Sequence, residues 1–109
     1  MKAIHKFTLE AKTQQRICIP NCIKILSVEN QNENIVLYAM VETEKLPNFN
    51  IPRNNEKEIT NVEILIFGTG HKLNDYLTHA HQFLGTIKLL NDSLVFHVFY
   101  RNFLQGGVI

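Results

Sequence analysis

Short runs of apolar residues, alternating or continuous, are separated by polar turn residues along most of the chain. Positions 4–10 set Phe7 and Leu9 two apart, so a strand there can bury one face. Positions 16–19 place Ile17 and Ile19 on one side, and Pro20-Asn21 then interrupts the run, because proline has no ladder donor. In 23–29 the apolar pairs change face, from Ile23 and Ile25 to Leu26 and Val28, which predicts a bulge or a strand covered on both sides. Positions 35–42 and 62–67 are apolar on both faces and belong at sheet centres, with Glu63 the one charge in the second run. Positions 83–90 and 94–102 flank Asn91-Asp92, which predicts a tight two-residue hairpin.

The intervening segments read as turns. Asn30-Gln31-Asn32-Glu33-Asn34 is the best hairpin turn, since asparagine tolerates positive φ and bonds its own backbone. Positions 43–61 hold two of the three prolines and five asparagines and read as a long surface loop. Positions 74–81 are the one candidate helix, with Asn74 as cap, Asp75 in the first turn and an apolar stripe of Tyr76, Leu77 and Ala80. The end, 104–109, reads as a loose tail. The sum is an all-β chain of about seven strands with at most one short helix, arranged as a compact antiparallel sandwich or partly open barrel. Strand–helix alternation is absent, which argues against a parallel α/β sheet.

At 109 residues the chain is one domain with one modest core. Eleven Lys+Arg against ten Asp+Glu leave a net charge of +1, which argues against a generic nucleic-acid backbone binder. No apolar run reaches the roughly 20 residues of a membrane helix, and none near the start has signal-peptide character, so the expectation is a cytoplasmic protein with no membrane partner. Cys18 and Cys22 lack the two further ligands of a zinc site and read as free thiols. Asparagine is over-used, 12 of 109, and most of it falls in the turns and the 43–61 loop.

Four motifs recur in a known setting. They are Ile23-Lys24-Ile25-Leu26-Ser27-Val28, Phe67-Gly68-Thr69-Gly70-His71, Leu84-Gly85-Thr86 and Ser93-Leu94-Val95-Phe96-His97-Val98-Phe99. With the opening Ile4-His5-Lys6-Phe7, the chain resembles, over about residues 3–100, a family of short uncharacterised proteins of tailed phages and prophages. The resemblance implies a β-rich fold and a phage setting, and no reaction, because that family is a domain of unknown function. The chain departs from the familiar pattern in 43–61 and in 72–83, the latter containing His79 and His81.

Gly68-Thr69-Gly70-His71 is the leading ligand site, since closely spaced glycines let backbone N–H groups approach an anion and Thr69 and His71 add polar contacts. It lacks the glycine spacing of a dinucleotide fold and the lysine of a P-loop. His97, between Phe96 and Val98, is either a histidine bonded within the fold or a ligand contact beside His71, and Arg101 joins the ligand set. His71, His79 and His81 would make a metal site only if 79–81 were extended, so no metal and no cofactor is expected. Asn48, Phe49 and Arg53 in the long loop are the candidate contacts to a protein partner.

These readings converge on a non-enzymatic accessory binding protein of phage or prophage origin acting in the host cytoplasm. It would counter a host defence by sequestering a nucleotide second messenger or by occluding a defence protein. Unpaired strand edges make a homo-oligomer the expected state. Two other readings stand beside it: a nucleotide- or phosphodiester-cleaving enzyme using His71 and His97 as acid and base, and a virion or assembly component.

Overall fold

The computed structural model describes residues 1–43, 59–73 and 80–104. It contains seven strands: β1 Lys2–Leu9, β2 Gln14–Pro20, β3 Cys22–Gln31, β4 Asn34–Glu42, β5 Ile59–Gly68, β6 Gln82–Leu89 and β7 Leu94–Leu104. They form a three-stranded sheet in the order β1-β4-β3 and a four-stranded sheet in the order β2-β5-β7-β6, with every pairing antiparallel. The expected all-β sandwich is what forms, the sheets do not close into a barrel, and the described residues contain no helix.

Sheet centres go to the two runs that are apolar on both faces. In β5 all six positions 62–67 are buried, Glu63 included. The inner faces meet in one cluster that includes Leu37 and Ala39 of β4, Val62, Ile64 and Ile66 of β5, and Val98 of β7. Leu65 and Phe67 alternate to the outer face of β5 and are also buried, so this sheet carries apolar weight on both sides. The chain changes sheets at Asn21, whose φ of 54° follows the strand-ending Pro20, and Glu42 N–H donates to the Asn21 carbonyl to tie the corner down. The change of face in 23–29 corresponds to two register shifts in β3, between Cys22 and Lys24 and between Ile25 and Ser27. Both cysteines are free, Cys18 exposed and Cys22 half-buried.

The β3–β4 hairpin closes on Asn32 and Glu33, with φ of 53° and 66°, the two left-handed residues that a two-residue turn of matching twist requires. The β6–β7 connection differs from expectation. The last pair is Leu89 with Leu94, so four residues connect the strands, and Leu90, Asn91 and Asp92 all have positive φ. A leucine in that region costs about 1–2 kcal/mol. The Leu90 N–H offsets the cost by donating at 2.7 Å to the carboxylate of Glu33, in the other hairpin turn. The Asn30 side chain adds a bond at 2.8 Å to the Lys88 carbonyl. The tips of the two hairpins therefore hold one edge of the sandwich together.

Three further boundaries move. The 43–61 loop gives up 59–61 to β5, and its other residues, Asn48, Phe49 and Arg53 among them, lie outside the described residues apart from Thr43. The candidate helix falls at 74–79 outside them too, while Ala80 is in a turn and His81 directly precedes β6. In the tail, Leu104 closes β7 and 105–109 lie outside the described residues.

Where β3 crosses β6, a Cβ built on Gly85 would lie 3.0 Å from Val28 Cγ1. Overpacking of this kind costs about 1–3 kcal/mol. Gly85→Val should lower unfolding stability by about 2 kcal/mol in urea, and adding Val28→Ala should restore part of that loss, giving a non-additive double-mutant cycle.

Candidate functional site

The outer face of the four-stranded sheet holds the polar chemistry. Its rows follow from register. Phe67 of β5, His97 of β7 and Thr86 of β6 form one row. Leu65, Phe99 and Phe83 form the next, and Glu63 and Arg101 the one beyond, with Arg16 of β2 opposite Glu63 on its other side.

Beyond Phe67 the chain leaves β5 through Gly68-Thr69-Gly70-His71. Two reciprocal bonds close this turn: His71 N–H donates to the Gly68 carbonyl at 3.1 Å, and Gly68 N–H donates to His71 Nδ1 at 3.0 Å. Nδ1 therefore carries no proton, and the exposed ring presents its Nε2 end to solvent. Gly70 has φ of 90°, a conformation that disfavours any side chain, and a Cβ there would meet nothing within 4 Å. Gly68 needs no such freedom, since a Cβ there would touch the His71 ring at an ordinary 3.5 Å. The turn is thus an open, exposed loop whose shape rests on one glycine and one imidazole.

His97 is held from both sides. Thr69 Oγ1 lies 2.8 Å from its Nε2, and Thr86 Oγ1 lies 2.9 Å from its Nδ1. A neutral imidazole has one donor and one acceptor nitrogen. One threonine therefore gives its hydroxyl proton to the ring, while the other accepts from the ring and keeps its proton for a third partner. The result is a Thr–His–Thr chain whose two hydroxyls are exposed. The structure thus brings Gly68, Thr69, Gly70, His71 and His97 together, with no hydrogen bond between the two imidazoles. Arg101 does not join them: it lies four residues further along β7, opposite Glu63.

Around Glu63 sits a cluster that sequence reasoning missed. Its carboxylate accepts from Gln14 Nε2 at 2.9 Å, is bonded by His81 Nε2 at 2.9 Å and pairs with Arg16 at 3.6 Å. The Glu63 and His81 side chains are only 8% and 2% exposed, and His81 Nδ1 is buried without a partner. Burial pushes the Glu63 carboxyl up, but the hydrogen bonds from Gln14 and His81, with the charges of His81 and Arg16, outweigh it and hold the group below the usual carboxylate range. The signal lay in the sequence as a lone charge inside an apolar strand, a pattern tolerated only with a partner. His81 thus serves as the partner of a buried acid; His79 lies outside the described residues, and no cluster of three metal-ligating side chains occurs among the described ones.

Fold and site together define an all-β sandwich with an exposed polar turn at one end of its larger sheet and a buried carboxylate–imidazole pair further along it. The chain belongs to the DUF7352 family, a domain of unknown function, which matches residues 1–106. No curated protein and no solved structure matches the chain. Among the described residues no helix is long and apolar enough to cross a membrane.

Glu63→Gln replaces an acceptor of three donors with a group that opposes one of them. It should destabilise the protein by about 2 kcal/mol at pH 7. Because the folded carboxyl titrates below its unfolded value, its contribution is complete at pH above the unfolded value of about 4 and fades as pH falls through the folded one. The gap between wild type and variant, read from urea midpoints across pH 2–7, should therefore close on the acid side.

Proposed function

We propose that the protein is a non-catalytic binding module that captures a small anionic ligand at the 68–71 end of the four-stranded sheet. The setting we assign is that of a phage or prophage accessory protein, with a nucleotide signal of host defence as the ligand and the host cytoplasm as its place of action. The observation that carries the binding reading is the exposed Thr69–His97–Thr86 chain beside the Gly70 turn. It offers one spare hydroxyl proton and several lone pairs held against the sheet, which suits recognition.

Catalysis by His71 and His97 is the weaker reading. An acid–base pair needs ring nitrogens aimed at the reacting groups. Here both nitrogens of His97 and Nδ1 of His71 are already occupied by the fold. The phage setting is supported by the four sequence motifs, and the counter-defence role by the combination of small size and a recognition surface without an oriented acid–base pair.

The test is direct. Protein purified from a lysogenic or infected host is denatured, and what it releases is analysed by mass spectrometry. The reading expects an intact small anionic molecule at near-stoichiometric yield, and Gly70→Val, strained at its φ of 90°, should reduce that yield at least tenfold. A chemically altered ligand supports the enzyme. An empty protein that instead co-purifies with one host protein overturns small-ligand capture.

A further inference from the structure

The geometry points to a ligand of nucleoside phosphate class lying along β6, with its base on Phe83, its sugar over the Thr86–His97 pair and its phosphate at Lys88. This rests on the ligand-capture reading above and adds a pose. Phe83 is 58% exposed although it belongs to a sheet with a well-filled core. Its ring is held in place: it meets Phe99 edge-on at 5.4 Å, and Phe99 meets Phe67 in the same way at 6.1 Å. An exposed phenyl fixed from below is a stacking surface whose ordering cost is already met by the fold.

A register shift between Phe83 and Gly85 decides what lies next to it. Without the bulge, Phe83 and Thr86, three positions apart, would point to opposite faces. With it, Phe83 stands opposite Phe99 and Thr86 opposite His97, both on the outer face. Bulges commonly serve to re-aim a side chain in this manner. Lys88 follows on the same face, opposite Val95. Their partners Phe99, His97 and Val95 follow one another two residues apart along β7, a backbone step of roughly 7 Å.

The far end of the track meets the turn. Thr69 N–H donates to the Val95 carbonyl at 3.2 Å, so the 68–71 turn flanks Val95 on the side opposite Lys88. An anion over Val95 would have the Lys88 ammonium on one side and the turn on the other. The middle of the track suits a sugar, since the Thr–His–Thr chain presents one spare hydroxyl proton and several lone pairs. The order aromatic, hydroxylated, anionic is the order of a nucleoside 5′-phosphate.

Calorimetric titration with AMP, adenosine and ribose 5-phosphate tests the pose on wild type, Phe83→Leu and Lys88→Gln, both of which change exposed side chains and leave the core intact. AMP should bind about tenfold more tightly than ribose 5-phosphate. Phe83→Leu should erase that advantage, and Lys88→Gln should weaken AMP while leaving adenosine unchanged. If AMP and ribose 5-phosphate bind equally, or if the advantage of AMP survives Phe83→Leu, the pose is overturned while ligand capture stands. If neither phosphate compound binds at millimolar concentration, the pose is overturned, and ligand capture falls with it only when the host-purified protein also releases no small anion.

Discussion

Strand β5 is buried on both faces, and much of the molecule follows from that. A strand that is apolar all round must sit at a sheet centre with cover above and below. Its inner residues Val62, Ile64 and Ile66 complete the sandwich core against β4. Its outer residues Leu65 and Phe67 are buried as well, so the far side of the sheet is apolar along β5. Glu63, placed on that outer face, then has to be neutralised where it stands. Gln14, Arg16 and His81 do so, and the work reaches across β2 and to the segment ahead of β6. Where β5 ends, at Gly68, the apolar demand ends with it, and the polar turn begins.

The same constraint sorts the histidines. His81 lies where the sheet is covered and is bound to a buried acid. His97 lies two rows away, past the Phe99 row, and finds two threonine hydroxyls. His71 lies beyond the sheet and braces its own turn. One side-chain type takes three roles according to how far along β5 the neighbouring row falls. The open end of the sheet combines fixed aromatics with spare hydroxyls, and a recognition surface needs both rigidity and unused polar capacity.

Much of the fold was legible locally. Two-faced apolar runs identified β4 and β5 as central, the switch of face in 23–29 announced the bulges of β3, and the asparagines around 32 marked the tighter hairpin. What was not legible depends on register between distant segments. Leu90 turns left-handed because Glu33, 57 residues earlier, supplies an acceptor. His81 meets Glu63 across an 18-residue separation, and the partners of His97 come from positions 28 and 11 residues away. Local pattern could nominate Gly68, Thr69, Gly70, His71 and His97, and only pairing could show that Arg101 stands with Glu63 instead.

The proposed recognition surface is the turn end of the larger sheet. Amide chemical-shift mapping during titration with a nucleoside monophosphate tests it most directly. Shifts should concentrate at 69–71, 83–88 and 95–97, with β1 and β3 unmoved apart from the Val28 contact with Gly85. Shifts confined to the three-stranded sheet, or none at saturating ligand, would contradict it.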